Sequence, residues 1–273
     1  MKANETVLFS DLDGTLFNSK VEVSPENRAA IERYIAEGGY FAISTGRLPS
    51  NALTYLKDLP VNGPSIVLNG GACYNFASGV FSHTHFLDRS VTDPIFKHLI
   101  ASVPRLDVQI CTPECIIYLT PEETAHPVML DLHRPCRFVS WEDTEGLGFF
   151  KALLLAPAPC HQMMKKLLES LAPGRFEVLE CSTGAGLIYC EVMPLGVSKG
   201  NALDLMRNDP EYAGRTFFTV GDYWNDYDLI TKADVGIAVA NALPEIKSIA
   251  KRVTVSNDEH AIADIIQNII PSV

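Results

Sequence analysis

The stretch Val7-Leu-Phe-Ser-Asp-Leu-Asp-Gly-Thr15 decides the fold of this chain. Its first four residues form a short, mostly apolar run, which the acidic and small residues after it end abruptly. This pattern is typical of a buried strand that leads into a polar turn. Ser24 and Pro25 then predict a helix start, because serine is a common N-cap and proline fits the first helical position, and Gly38 predicts the end of that helix.

The same order of strand, polar turn and helix recurs toward both ends of the chain. Further strands are predicted at 40–43, 65–68, 216–220, 235–239 and 252–255. Helically spaced apolar residues lie between them, and strands that alternate with helices favour a parallel sheet with right-handed crossovers. The sequence therefore predicts an α/β fold with a Rossmann-like parallel sheet.

The middle of the chain has a different pattern. After a hairpin predicted around 77–79, helices are predicted at 92–102 and 162–171, and strands at 107–120, 150–155 and 176–193. Paired strands with separate helices indicate an α+β unit. We therefore expect an inserted domain at 86–191 and a discontinuous core of 1–85 and 192–273. Two domains also agree with a length of 273 residues at about 150 residues per domain.

Composition and charge disfavour several classes of protein. Hydrophobic residues make up 47% of the chain and charged residues 20%, which is ordinary for a globular protein. The formal charge of −11 disfavours nucleic acid as a partner, because an acidic surface repels a phosphate backbone. An anionic small substrate would need a locally positive pocket or a bound cation to offset this charge.

The sequence also carries expectations about location and redox state. It contains no apolar run long enough to span a membrane and no signal-peptide core, so we expect a cytoplasmic protein with no membrane partner. Its seven cysteines include no C-x-x-C pair, and we expect reduced, mostly buried thiols. Cys111, Cys115, His126 and His133 of the insert could bind zinc, but their spacing matches no usual zinc template, so a metal-free arrangement is expected.

Polar side chains follow the predicted core strands at the point where each strand ends. They are Asp11, Asp13, Thr45, Asn69, Asp222, Asn225 and Asp226. Ligands of parallel α/β sheets bind at this edge. Crowded carboxylates repel one another, and Mg²⁺ suits them best because it binds through one or two carboxylates and keeps waters for a phosphate substrate. One of the first two acids could attack phosphorus while the other handles the proton of the leaving group.

Lys199 directly follows Ser198, a predicted N-cap. The helix dipole disfavours a cation at that position by about 0.3–1 kcal/mol. A compensating anion is therefore expected beside Lys199, and carboxylates together with a phosphate would supply it.

Four ordered motifs resemble the haloacid dehalogenase (HAD) superfamily, in particular its Cof-like phosphatases with a large α/β (type IIB) cap. The motifs are Asp11-Leu-Asp-Gly-Thr15, Ser44-Thr-Gly-Arg47, Gly196-Val-Ser-Lys199-Gly200 and Gly221-Asp222-x-x-Asn225-Asp226. The segments 69–70, 235–241 and 256–258 are similar to that branch as well. The insert corresponds to the cap, and four motifs in order are far more specific than any one of them.

The resemblance implies a role for each of these residues. Asp11 would be the nucleophile, and Asp13 the general acid/base that also offers its main-chain carbonyl to the metal. The implied phosphate-binding residues are Thr45, Gly46, Asn69, Lys199 and Asn225. The implied Mg²⁺ site comprises Asp11, Asp13, Asp222 and Asp226. A dehalogenase is disfavoured because it needs neither the second acid nor a metal.

The expected activity is Mg²⁺-dependent hydrolysis of small phosphorylated metabolites, with sugar phosphates the best guess by resemblance. A phosphomutase with the same aspartyl-phosphate chemistry and a non-catalytic binder of a phosphorylated ligand remain as alternatives. Two local questions also stay open. Arg47 could bind substrate or form a salt bridge, and Tyr223 and Trp224 could line the mouth of the pocket or pack under their loop.

Overall fold

The computed structural model describes residues 1–127, 135–182 and 188–273. They form two compact units, one made of Met1–Thr84 and Ser198–Val273 and the other of His85–Val197. The second unit extends beyond the predicted end of the insert at 191. The reason is a strand that runs from Ile188 to Pro194 and pairs within the sheet of that unit.

The first half of the core unit begins with strands and helices in alternation. Its elements are β1 (Thr6–Ser10), α1 (Pro25–Ala36), β2 (Tyr40–Ile43), α2 (Pro49–Leu56), β3 (Ser65–Val67), β4 (Ala72–Asn75) and β5 (Val80–Ser82). Helix α1 starts as predicted, because the Ser24 hydroxyl accepts a hydrogen bond from the Asn27 N–H at 3.2 Å and Pro25 occupies the first turn. The hairpin predicted around 77–79 joins β4 to β5.

The insert is an antiparallel-rich sheet with two helices. Its elements are α3 (Arg89–Ser102), β6 (Asp107–Cys111), β7 (Ile116–Tyr118), β8 (Cys136–Phe138), β9 (Lys151–Leu155), α4 (Ala158–Leu171), β10 (Phe176–Ser182) and β11 (Ile188–Pro194). The strand order is β10-β11-β9-β6-β7-β8. Phe96 of α3 and Met164 of α4 share one apolar cluster with Ile110, Leu154 and Val192 of the strands, so these helices cover one face of the sheet.

The second half of the core unit completes the parallel sheet. Its elements are α5 (Lys199–Met206), β12 (Thr216–Gly221), α6 (Tyr227–Lys232), β13 (Val235–Ala238), α7 (Pro244–Ile249), β14 (Arg252–Val253) and α8 (Ala261–Asp264). The order is β14-β13-β12-β1-β2, and every neighbouring pair is parallel. Successive residues of β1 are buried on opposite faces, Leu8 against one apolar cluster and Phe9 against another, so helices cover both sides of the central strands.

The structure confirms the predicted α/β fold and corrects two strands. Residues 65–68 were expected in the parallel sheet, but Ile66 makes only a single bridge to Ser44, and β3 pairs antiparallel with β4 in a separate sheet. Strand β8 was not predicted, because three residues carry too little periodicity to be recognised. Among the described residues, no helix is both long and apolar enough to cross a membrane.

Candidate active site

Lys199 lies at the centre of the candidate active site. It is the first residue of α5, and the Ser198 hydroxyl caps this helix by accepting a hydrogen bond from Asn201 N at 3.1 Å. The Lys199 side chain is fully buried, and its ammonium donates to Asp11 Oδ1 at 2.7 Å and to Asp226 Oδ1 at 2.6 Å. These two carboxylates are the anions that compensate a cation at the start of a helix.

Asp11 is held by the sheet that it follows. Its backbone N–H donates to Val220 O at 3.0 Å, which continues the pairing of β1 with β12. Its carboxyl group is buried, and burial raises the pKa of Asp11 well above its ordinary value. Lys199 opposes this rise, whereas the charges of Asp226 and Asp222 add to it. Asp11 is therefore an acid whose charge depends on cations close to it.

Asp222 and Asp226 lie in the segment that follows the neighbouring strand β12. Asp226 is fully buried, and its Oδ2 accepts from the backbone N–H groups of Asp222 at 3.0 Å and Tyr223 at 3.3 Å. Asp222 Oδ1 accepts from the Thr15 hydroxyl at 3.3 Å. Burial, followed by the charge of Asp226, raises the pKa of Asp222 to about 7.

The three carboxylates form a group that could hold a metal ion. One oxygen each from Asp11, Asp222 and Asp226 lies within 4.8 Å of the other two. When all three are ionised, Lys199 neutralises only one of the three charges, and two negative charges remain. A hard divalent cation with oxygen ligands fits both this donor set and this charge.

Gly14 is required at the edge of this carboxylate group. Its φ of +74° lies in the left-handed region, and a Cβ placed there would come within 2.5 Å of Asp222 Oδ2. A larger residue would be strained and would also push the Asp222 carboxylate out of place.

The predicted phosphate-binding residues meet at the ends of β2 and β3. Thr45 N donates to Ile66 O at 2.9 Å, and Asn69 N donates to Thr45 O at 3.0 Å. Asn225 Nδ2 donates to Asn69 Oδ1 at 3.1 Å and so links this group to the loop that carries Asp222. A Cβ on Gly46 would approach Asn69 Oδ1 to 2.8 Å, which accounts for a glycine beside Thr45.

Asp13 is not one of the three clustered carboxylates, although its charge acts on both Asp11 and Asp222. Its side chain is 55% exposed and forms a two-pronged salt bridge with Arg47, with Nε to Oδ2 at 2.7 Å and Nη2 to Oδ1 at 2.5 Å. Arg47 is fixed in turn by Asn51 Oδ1 at 2.8 Å and by the ring of Tyr55, 4.4 Å from its guanidinium carbon. Of the two alternatives for Arg47, the structure shows the salt bridge.

Several supporting residues were not singled out as site residues by the sequence. Asn241 Nδ2 donates to Gly14 O at 2.8 Å, and Asn257 Nδ2 donates to Phe17 O at 2.9 Å, so both amides hold the loop after β1. Asn241 lies shortly after β13 and Asn257 shortly after β14, at the same edge as the predicted site. Their position at strand ends was the signal that could have identified them.

Tyr223 and Trp224 are both largely exposed, at 39% and 47% of their surface. The Trp224 ring stacks on Tyr227, with 6.3 Å between the ring centroids. These rings therefore do not pack beneath the loop that carries Asp222.

A protein family and several known proteins resemble this chain over most of its length. A family described as haloacid dehalogenase-like hydrolase matches residues 8–266. The 5-amino-6-(5-phospho-D-ribitylamino)uracil phosphatase YwtE of Bacillus subtilis (strain 168) is 26% identical over 280 aligned positions, which cover 95% of this chain and 96% of YwtE. The HMP-PP phosphatase of Serratia proteamaculans (strain 568) is 25% identical, with 94% of this chain and 93% of that protein covered.

Solved structures show the same fold. A haloacid dehalogenase-like hydrolase from Bacteroides thetaiotaomicron superposes with a TM-score of 0.82 at 24% identity, covering 97% of this chain and 99% of the other. The HAD subclass IIB sugar phosphatase BT4131 superposes with a TM-score of 0.77 at 21% identity, covering 97% and 98%. The family resemblance carried by the four sequence motifs is confirmed by the family match over residues 8–266.

Replacing Lys199 by methionine should destabilise the protein strongly. The change leaves Asp11 and Asp226 buried beside each other without their cation, and we expect the free energy of unfolding to fall by about 3–5 kcal/mol at pH 7. The pKa of Asp11 is already raised, so its protonated form is favoured in the folded state. The loss should therefore be smaller at pH 5 than at pH 8, as measured by urea unfolding at each pH.

Lys232→Met is the matched control for this experiment. Lys232 pairs with Asp204 at 2.8 Å, but both side chains are substantially exposed, so its loss should cost about 0–1 kcal/mol. Equal losses in the two variants would contradict the importance assigned to the buried lysine.

Proposed function

This chain belongs to the haloacid dehalogenase-like hydrolases and is a phosphoric monoester hydrolase, and on that basis we propose that it is a Mg²⁺-dependent phosphatase of small phosphorylated metabolites. Sugar phosphates are its proposed substrates, and an aspartyl-phosphate on Asp11 is its proposed intermediate. The observation that carries this proposal is the buried group in which Lys199 binds Asp11 and Asp226, with Asp222 beside them.

The first step uses Asp11 as the nucleophile. Its carboxylate attacks phosphorus, so a carboxylate oxygen to phosphorus bond forms while the bond from phosphorus to the leaving oxygen breaks. Asp13 gives a proton to the leaving oxygen, which departs as an alcohol. Lys199 keeps the Asp11 carboxylate in one orientation, and a fixed orientation lowers the barrier to attack.

The second step releases phosphate and restores the enzyme. A water molecule attacks phosphorus, Asp13 takes a proton from that water, and the bond between Asp11 and phosphorus breaks. Arg47 holds the ionised Asp13 carboxylate through two hydrogen bonds, so Asp13 must leave this salt bridge before it can carry the proton in either step.

The phosphoryl group needs hydrogen-bond donors and positive charge around it. The Thr45 hydroxyl accepts a hydrogen bond from Arg47 N at 3.1 Å, so its own proton remains available for a phosphate oxygen. Asn225 and Asn69 form a linked pair beside it. Donors that are already fixed stabilise the transition state without reorganising during the reaction.

Mg²⁺ would be held by the carboxylates of Asp11 and Asp222 and by the main-chain carbonyl of Asp13, a ligand that the family resemblance implies. Asp226 would support this site. When bound, the ion would neutralise charge on the phosphoryl oxygens. The residues fit the ion because their two uncompensated negative charges match its double positive charge.

The substrate class is supported by the activities of relatives. YwtE is named for a phosphorylated ribityl compound, and BT4131 is described as a sugar phosphatase. A phosphomutase would use the same site residues. It would differ only in transferring the phosphoryl group from Asp11 to another hydroxyl of the substrate instead of to water. Assay of a panel of sugar phosphates separates the two, since a phosphatase releases one free phosphate per substrate consumed, whereas a mutase gives an isomer with little free phosphate.

Asp11→Asn should abolish phosphate release. The variant keeps the shape of the side chain but loses the nucleophile, and kcat is expected to fall by about 10⁴-fold or more. Borohydride reduction of the quenched wild-type enzyme should convert the residue at position 11 to homoserine, which peptide mapping detects. The exposed Asp58→Asn serves as the control and should keep wild-type kcat. Substantial turnover by Asp11→Asn would exclude Asp11 as the nucleophile.

Mg²⁺ affinity should rise with pH. The pKa of Asp222 is raised to about 7 in the fold, so protons compete with the ion below that pH. Above that pH Asp222 is ionised, and its buried charge costs free energy in the folded protein until a cation binds. Calorimetric titration should show the Kd for Mg²⁺ falling by up to about tenfold per pH unit between pH 5 and 7. The dependence should be weaker in Asp222→Asn, and an affinity independent of pH in the wild type would contradict this assignment.

A further inference from the structure

A second group of metal-ligand side chains lies in the insert. It consists of His161 on α4, Glu180 on β10 and Cys190 on β11. One ring nitrogen, one carboxylate oxygen and the Cys190 Sγ all lie within 4.8 Å of one another. This group shares no residue with the carboxylates of the core unit, so the inference does not depend on the proposed function.

The pairing of the strands and the packing of α4 bring these three residues together. Glu180 and Cys190 are direct partners across the antiparallel pair β10 and β11, which places their side chains on the same face of the sheet. Cys190 belongs to the apolar cluster that includes Met164 and Leu168 of α4. Helix α4 therefore covers this face, and His161 lies on its first turns.

His161 supplies an independent observation. It is only 6% exposed, yet within the described part of the chain neither of its ring nitrogens has a hydrogen-bond partner. The Glu180 carboxylate is close, but Oε1 lies 3.5 Å from Nε2, which is too long for a good hydrogen bond. Unsatisfied buried polar groups are rare and destabilising in native proteins, so this ring has nitrogen lone-pair capacity that a metal ion could use.

The combination of donors selects the ion. Imidazole, thiolate and carboxylate together are the ligands of Zn²⁺, whereas Mg²⁺ and Ca²⁺ take oxygen ligands alone. We propose that His161, Glu180 and Cys190 form a zinc site in the insert, with water completing a tetrahedral coordination. The Cys190 thiol releases its proton to solvent when the ion binds. The bound ion would tie α4 to β10, the edge strand of the sheet, and to β11.

Lys165 competes with the ion for Glu180. It lies one helical turn after His161, and its ammonium forms an ion pair with Glu180 Oε1. Lys165 is 30% exposed and Glu180 41% exposed, so the lysine can turn into solvent and open the route by which the ion enters. The affinity for zinc is then set by how easily Lys165 leaves.

Co²⁺ is the spectroscopic probe for this site. The full-length protein, stripped with a chelator, is titrated with Co²⁺ in excess Mg²⁺, both as wild type and with Asp222→Asn to weaken the core site. We expect about one Co²⁺ per chain, with a thiolate-to-cobalt charge-transfer band that Zn²⁺ abolishes by displacement. Cys190→Ser should remove the band. Cys111→Ser, at another buried cysteine of the same sheet, should retain it.

Two further variants keep the test decisive if Cys190→Ser does not fold. His161→Gln should weaken Co²⁺ binding at least about tenfold, because a strong nitrogen ligand is lost. Lys165→Met should tighten it at least about tenfold, since a competing positive charge close to the ion is removed. A wild type without a thiolate band would overturn the proposal, and so would a band that persists in Cys190→Ser or an affinity unchanged by both other variants.

Discussion

The buried contact of Lys199 with Asp11 and Asp226 is the constraint on which the core depends. It joins three parts of the chain, because Asp11 directly follows β1, Lys199 begins α5, and Asp226 follows β12. A lone buried charge of either sign would be very costly, and only the three together make this arrangement tolerable. The positions of two strand ends and one helix start are therefore set by electrostatics as well as by apolar packing.

The same contact neutralises only one of the three carboxylate charges of Asp11, Asp222 and Asp226. Burial, with the charges of neighbouring acids, raises the pKa of both Asp11 and Asp222, which means that their ionised forms carry a free-energy cost that a bound cation would reduce. A core built for stability alone would replace one of these acids with an apolar residue. Retaining them is a sign of function, since strongly shifted carboxyl groups in one cleft are expected where a metal and an anionic substrate meet.

The sequence was sufficient to predict the parallel core, because β1, β2 and β12 are each followed by a polar cluster and both α1 and α5 begin after an N-cap serine. Ser24 with Pro25 is the clearest case, and the structure has α1 at that place. Strand β3 was misplaced because its apolar residues suit either sheet, and only the pairing with β4 decides. The Arg47 contact with Asp13, and the group around His161, depend on strand register and helix packing that no local spacing encodes. Of the four residues that the sequence analysis considered for zinc binding, His133 lies outside the described residues.

Two lysines of this chain show how exposure decides what an ion pair does. Lys199 and Lys165 each bind carboxylates, yet the first side chain is fully buried and the second is 30% exposed. Removing Lys199 would leave buried charges unpaired, so it is a permanent part of the core. Lys165 loses little by turning into water, because exposed pairs contribute at most about 1 kcal/mol. A cation can therefore replace Lys165 but must bind beside Lys199. This difference separates the proposed Mg²⁺ site, which has oxygen ligands, from the proposed zinc site, which includes a thiolate.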